Sequence, residues 1–317
     1  MKIVQLDRES IGYDINTNVL EQLGDYVNYT SDTFENTKEY IKDADVIVFN
    51  KSKMNEEMLK DAPNVKMLAI TATGFDNIDL AYCKNRGIVA ANVRAYSTAS
   101  VAQHTFALAL NLLEKIGYYD DYVKSGKYTV QTGFSHFEEK YNELEGMTWG
   151  IIGMGNIGKK VAAIAEAFGC KVIFYSASGK SDCKDYERVE FDELLERSDI
   201  ISLHCPLSDR TRGIMNMDAF KKMKDSALLI NVARGPVINE EDLAIALEEN
   251  IIAGAGLDVL CAEPMAVDNP LGRIKDSKKL IITPHMAWAS VEARQRCFDE
   301  VYKNIEAFMN GKKRNIL

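Results

Sequence analysis

The chain has 317 residues, a net charge of −9, 46% hydrophobic residues and 27% charged ones. That length fits two domains that can each bury a core, and no stretch reaches the apolar length of a membrane-spanning helix. The acidic balance argues against nucleic-acid binding, which needs a basic surface, and six scattered cysteines without CxxC spacing argue against a zinc ribbon or a disulfide framework, so no metal is expected.

The amino terminus, "MKIVQLDRES", alternates as a strand does and lacks the apolar core and small-residue cleavage site of a signal peptide; a cytoplasmic location is expected. Short β-rich runs then alternate with helical ones: "KIVQLD", "NTNVLEQLG", "ADVIVFN", "NEEMLKDA", "VKMLAITATG", "DLAYCKNRG", "GIVAANV". Such alternation builds a parallel sheet covered on both faces. "TASVAQHTFALALNLLEK", residues 98–115, keeps helical apolar spacing behind a Thr/Ser cap and reads as the connector into a second domain. Residues 117–147 have poor periodicity and read as loops with short helices. The strand–helix rhythm resumes at "MTWGIIGMG" and runs to "KLIITPH", after which a last helix, about 290–310, is expected to return to the first domain and make it discontinuous.

Gly153, Gly155 and Gly158 form G-x-G-x-x-G between the strand "WGII" and the helix "IGKKVAAIAEAFG". The first glycine permits the tight turn, the second lets a pyrophosphate reach the backbone, and the third lets helix and strand pack closely. With strand and helix both present and a second strand, "KVIFYS", following, the spacing points to dinucleotide binding. That second strand ends at Ser176 where an acid that selects NAD is usual. Ser176, Ser178 and Lys180 could instead serve the 2′-phosphate of NADP, or simply form a solvated turn.

In an open α/β sheet, ligands bind at the carboxyl ends of strands. Arg234 ends "LLINVARG", Glu263 follows "GLDVLCAEP" and His285 ends "KLIITPH". Singly, each reads as a surface charge, a loop acid or a strand terminator. Together they supply what hydride transfer to a 2-oxo acid needs: a fixed guanidinium, a proton donor, and a carboxylate that orients the donor and favours its charged form.

The stretches "TATGFDNIDL", "AYSTASVAQHT", "WGIIGMGNIGKKVA", "SLHCPLSDRTRGIM", "LLINVARGPVINEEDL", "IAGAGLDVLCAEP" and "ITPHMAWASVEAR" resemble, in order, the D-isomer-specific 2-hydroxyacid dehydrogenase family over essentially the whole chain. "PHMAWASVEAR" is most similar to its glycerate dehydrogenase (hydroxypyruvate reductase) subgroup. The resemblance implies two doubly wound parallel-sheet α/β domains. One is a flavodoxin-like substrate domain of residues 1–98 and 288–317, the other a Rossmann dinucleotide-binding domain of residues 99–287. It further implies that Arg234 binds the substrate carboxylate and polarises its carbonyl, that His285 exchanges the proton and that Glu263 holds His285. Amides at Thr73 and Gly74, with Tyr96 nearby, would bind the carboxylate. On the cofactor side it implies Asn156 and Ile157 over the pyrophosphate, and His204, Cys205, Pro206 and Thr211 beside the adenosine half. Val232, Ala233, Arg234 and Asp258 would lie along the nicotinamide half, where His285 also acts, with Asp258 near the carboxamide. NAD or NADP is therefore the expected cofactor, a small 2-oxo or 2-hydroxy acid the expected partner, and a homodimer the expected assembly, with residues 117–147 at its contact.

Arg94, Gln103 and Ser176 depart from the family pattern, where proline, glutamate and aspartate are usual; the last leaves the cofactor open. Formate dehydrogenase, of the same fold, replaces the glutamate, so Glu263 argues against it. A dinucleotide-sensing co-repressor would share fold and triad. Phosphoglycerate dehydrogenase, lactate-type and bulkier 2-oxo acid reductases are further alternatives to a hydroxypyruvate and D-glycerate enzyme.

Overall fold

Parallel strands covered on both faces have to be apolar almost throughout, and the runs Val46–Phe49, Met67–Ile70, Ile200–Leu203 and Leu228–Asn231 are buried at every position. The structure, a computed structural model, describes residues 1–30 and 33–317. Its chain divides into two units, Met1–Ser97 with Trp288–Leu317, and Thr98–Ala287.

In the first unit, β1 (Lys2–Gln5), β2 (Asp25–Asn28), β3 (Val46–Phe49), β4 (Met67–Ile70) and β5 (Val89–Ala91) form a parallel sheet in the order β2-β1-β3-β4-β5. This is a doubly wound order, whose direction switches between β1 and β3. The helix Val291–Met309 belongs to this unit: Ala293, Cys297, Phe298, Val301 and Ile305 fall on one helical stripe and pack with Ile3, Val46, Val48 and Ala69. Ser290 caps it by accepting from the Ala293 N–H. The segment "NTNVLEQLG", which the pattern suggests is helical, forms only a 3₁₀ turn, Asn18–Gln22, with Leu20 its one buried residue. Its asparagines favour turns by bonding nearby backbone, as the Asn18 N–H does in donating to Asn16 Oδ1.

The second unit carries β6 (Thr148–Ile152), β7 (Lys171–Tyr175), β8 (Glu187–Arg188), β9 (Ile200–Leu203), β10 (Leu228–Asn231), β11 (Gly254–Leu257) and β12 (Leu280–Ile282). All pairings are parallel, in the order β12-β11-β10-β9-β6-β7-β8. The chain starts in the middle, builds to one side through β8, then crosses to β9 and builds the other way. A crevice therefore opens at the carboxyl ends of β6 and β9, the switch point of the sheet. The helix Thr98–Glu114 lies on β10 and β11, where Gly256 leaves room: a Cβ there would stand 3.0 Å from Leu108 Cβ. Beyond it, Ile116–Lys124 and Lys127–Val130 are short helices with no buried residue, and Val130, Phe134 and Phe137 are more than four-fifths exposed.

Candidate active site

The β6–β9 crevice is built by the glycine turn. Gly153 has φ +102°, and a Cβ on it would lie 2.6 Å from the Cys205 nitrogen, so only glycine lets β6 end this close to the chain leaving β9. A Cβ on Gly158 would meet the Gly153 carbonyl at 2.2 Å, whereas one on Gly155 would meet nothing within 4 Å. The outer glycines thus close the fold and the middle one faces open space. The helix Asn156–Ala167 starts there without a side-chain cap, and its first intrahelical bond runs from the Lys159 N–H to Gly155. The N–H groups of Asn156, Ile157 and Gly158 are those that a helix amino terminus offers to an anion.

A cavity of about 810 Å³ runs from this turn along the wall made by Ser176, Ala177, Ser178, Lys180, His204, Cys205, Pro206 and Thr211. Thr211, 1% exposed, shapes it: its hydroxyl donates to the Pro206 carbonyl at 2.8 Å and accepts from the Ser208 N–H. Burial pushes His204 down to about 3, so its imidazole is neutral. Its Nε2 bonds Ser202 Oγ at 3.0 Å, and among the described residues its buried Nδ1 has no partner. A free polar atom, an open glycine and unpaired helix N–H groups fit a bound dinucleotide. Of the expected contacts, Gly153, Gly155, Asn156, Ser176, His204, Cys205, Pro206 and Thr211 line the cavity, while Gly158 packs behind it.

Ser176 directly follows β7 and is 8% exposed. Beside it the Lys180 N–H donates to Ser178 Oγ, folding the turn back. Lys159 and Arg210 also line this end, Arg210 with Nη1 3.4 Å from the Ala177 carbonyl. Neither was among the expected residues; nothing local in "SDRTRG" distinguishes Arg210 from any exposed arginine.

The other three groups follow neighbouring strands, Arg234 after β10, Glu263 after β11 and His285 after β12, on the carboxyl edge that carries the glycine turn. Asn231, fully buried at the end of β10, staples its turn: Oδ1 accepts from the Ala233 N–H and Nδ2 donates to the Arg234 carbonyl, both at 3.0 Å. Val232 and Ala233 are thereby buried, and Arg234 Nη1 folds onto the Ala233 carbonyl. Glu263 Oε1 accepts from the Leu260 N–H at 3.0 Å, which aims Oε2 at His285 Nδ1, 2.6 Å away. With Nδ1 bound, Nε2 is the ring nitrogen left for chemistry. Asp258, 2% exposed, spends its carboxylate on Thr283 and on the Met286 and Ala287 N–H groups.

In the first unit, the carboxyl ends of β1 and β3 are tied by Asp7, whose carboxylate accepts the N–H groups of Asn50, Lys51 and Ser52. Thr73 follows β4; its hydroxyl donates to Val93 and its carbonyl accepts from Asn92 Nδ2. The backbone N–H groups of Thr73 and Gly74 have no backbone acceptor among the described residues. Tyr96, 8% exposed, meets Trp288 edge-on at 6.3 Å.

The model of the D-isomer specific 2-hydroxyacid dehydrogenase NAD-binding domain matches residues 106–287. Hydroxypyruvate reductase of Blautia hydrogenotrophica is 39% identical, the match spanning 100% of this chain and 99% of the relative. Glycerate dehydrogenase of Methylorubrum extorquens is 38% identical over 100% and 98%. Among solved structures, an acyclic imino acid reductase in complex with NADPH and D-Arg superimposes with a TM-score of 0.88 at 33% identity over 100% of both chains. D-lactate dehydrogenase from Aquifex aeolicus, complexed with NAD and lactic acid, gives 0.85 at 32% identity over 98% and 96%.

Proposed function

The chain belongs to the D-isomer specific 2-hydroxyacid dehydrogenase family and is an NAD(P)-dependent oxidoreductase of 2-hydroxy acids, and from that premise we propose that it interconverts hydroxypyruvate and D-glycerate with His285 as proton donor. The observation that carries the catalytic assignment is the 2.6 Å contact between His285 Nδ1 and Glu263 Oε2 on the dinucleotide edge of the sheet. The substrate assignment is supported by the names of the two relatives at 39% and 38% identity.

Reduction adds two electrons and two protons across a C=O bond: a hydride at carbon 2 and a proton at its oxygen. The reduced nicotinamide, when bound, supplies the hydride. His285 Nε2 gives its proton to the oxygen as negative charge develops there, and Glu263 holds the ring through Nδ1. Arg234 presents planar paired donors to carboxylate and carbonyl. In this reading the Thr73 and Gly74 amides, beside Tyr96, also bind the carboxylate.

Ser176 carries no charge to repel a 2′-phosphate, and Lys180 and Arg210 border it, so the proposal includes use of NADPH at least as readily as NADH. It also includes a homodimer: Val130, Phe134, Phe137 and Tyr141 expose apolar surface that a second copy would cover, so light scattering at micromolar concentration should give twice the chain mass, and a monomer would contradict it. No helix among the described residues is long and apolar enough to cross a membrane. Cytoplasmic residence is part of the proposal, supported by six cysteines without disulfide spacing. The deciding experiment measures rates with hydroxypyruvate, glyoxylate, pyruvate and bulkier 2-oxo acids, each with NADH and NADPH. Hydroxypyruvate should have the highest kcat/KM; a clear preference for another acid overturns the substrate, and no turnover of any overturns the reaction.

A further inference from the structure

The helix Thr98–Glu114 descends β11 by a simple match of pitches. Four helix residues advance about 6 Å and two strand residues about 6.6 Å, so contacts recur at i, i+4, i+8 against every second strand position. Leu112 stands over Gly254, Leu108 over Gly256, and the next rung brings His104 to Asp258. The first two rungs are apolar; the third is an imidazole with 15% side-chain exposure on a helix face otherwise marked by buried Val101, Thr105 and Leu108.

At that rung the shortest contacts set the hydrogen bonds, the Leu257 carbonyl lying farther from Thr283 Oγ1 and Asp258 Oδ1 farther from His104 Nε2, each at 3.5 Å. Thr283 Oγ1 lies 2.6 Å from Asp258 Oδ1 and 2.9 Å from His104 Nε2. A hydroxyl has one proton, and a carboxylate can only accept, so the threonine proton goes to Asp258. The threonine lone pair then receives a proton on His104 Nε2, which fixes the ring's tautomer. Asp258 Oδ1 accepts as well from the Met286 N–H and Oδ2 from the Ala287 N–H, both at 2.8 Å, while its main-chain carbonyl accepts from the His285 N–H at 2.8 Å. Three successive N–H groups, 285 to 287, thus converge on one residue. They hold His285 at φ +53°, a left-handed conformation that a side-chain-bearing residue adopts only when its surroundings enforce it.

We propose that His104 is a positioning residue for His285, acting through the hydrogen-bond chain His104–Thr283–Asp258 that clamps the turn carrying the proton donor. The proposal rests on the reading of His285 as that donor. Leucine at 104 would continue the apolar ladder but leave Thr283 without its donor, letting the Asp258 carboxylate rotate off the 286–287 amides.

The test uses the full-length enzyme with His104→Leu, His104→Gln, Thr283→Val and the double variant His104→Leu/Thr283→Val. Dinucleotide Kd, Tm, kcat and KM for hydroxypyruvate reduction are measured for each. His104→Leu should lower kcat about tenfold or more with dinucleotide Kd nearly unchanged, and His104→Gln, whose amide can still donate to Thr283, should recover most of it. Thr283→Val should match His104→Leu, and the double variant should be no worse than either, because both cut one chain. Losses that multiply in the double variant, a glutamine variant as poor as leucine, or kcat within twofold of wild type throughout would overturn it. If His104→Leu fails to fold, the same comparison of Thr283→Val with Thr283→Ser, which keeps the hydroxyl, decides. A wild type inactive on every 2-oxo acid, or an active His285→Gln, overturns the underlying reading; an inactive His285→Gln beside a fully active His104→Leu overturns this proposal alone.

Discussion

Replacing Ser176 with aspartate should shift the relative cofactor preference toward NADH. Ser176 directly follows β7 and is 8% exposed, so a carboxylate there would face the adenosine ribose from a largely dry wall. Two unit charges about 5 Å apart repel by about 3 kcal/mol at an effective dielectric of about 20. Screening from the open side, where Lys180 and Arg210 are exposed, cuts that figure, while a charge-assisted bond to the ribose hydroxyls adds to the NADH side. The net change in relative preference is about 1–3 kcal/mol, or roughly 5- to 150-fold in the ratio of kcat/KM values. Arg210→Ala should act in the same direction but weakly, about 1 kcal/mol or less, because its guanidinium is solvated. The assay is initial-rate reduction of hydroxypyruvate with each cofactor, followed by the absorbance of the reduced nicotinamide. A wild type strictly selective for NADH, or a Ser176→Asp variant in which both cofactors change equally, would refute the reasoning and leave the Ser178–Lys180 segment a solvated turn.

Arg234→Lys should be nearly as damaging as Arg234→Ala in kcat/KM, because an ammonium cannot present two planar donors at once; a lysine variant that works well would make Arg234 a point charge only. Glu139 is held below the ordinary carboxylate range first by Lys278, 2.6 Å away, and then by Lys115, at 2.9 Å. A lowered value means its stabilisation is present above the unfolded-state value, about 4.3, and is lost as pH falls through the folded one. The Tm difference between wild type and Glu139→Gln should therefore be full at neutral pH and shrink below about pH 4; a difference that does not change with pH contradicts the pairing.

Much of this architecture is legible in the sequence because parallel strands write themselves as apolar runs. "VIVF", "MLAI" and "IISL" need no partner information to be recognised, and the glycine spacing at 153, 155 and 158 states its own mechanism. "NTNVLEQLG" shows the limit: spacing alone suggests a helix where asparagine turn-forming leaves one 3₁₀ turn. Arg210, Asn231 and His104 were illegible for another reason. Arg210 and His104 act through contacts made only on folding: Arg210 reaches a turn 33 residues away and His104 a threonine 179 residues away. Asn231 acts locally, but an asparagine ending a strand has the same local look whether it staples a turn or faces water. The Asp258 carboxylate, expected near the carboxamide of the cofactor, also holds the turn after β12, a use that only the folded geometry reveals.

The central claim is that His285 donates the proton, and His285→Gln tests it most directly when turnover and dinucleotide affinity are measured on the same preparation. Glutamine keeps the size and polarity of the site but cannot act as an acid, so kcat for hydroxypyruvate reduction should fall by roughly two to four decades. The Kd for NADPH should stay close to wild type, since the glycine turn and the His204–Thr211 wall are untouched. Turnover near the wild-type rate, with the dinucleotide still bound, would contradict the account.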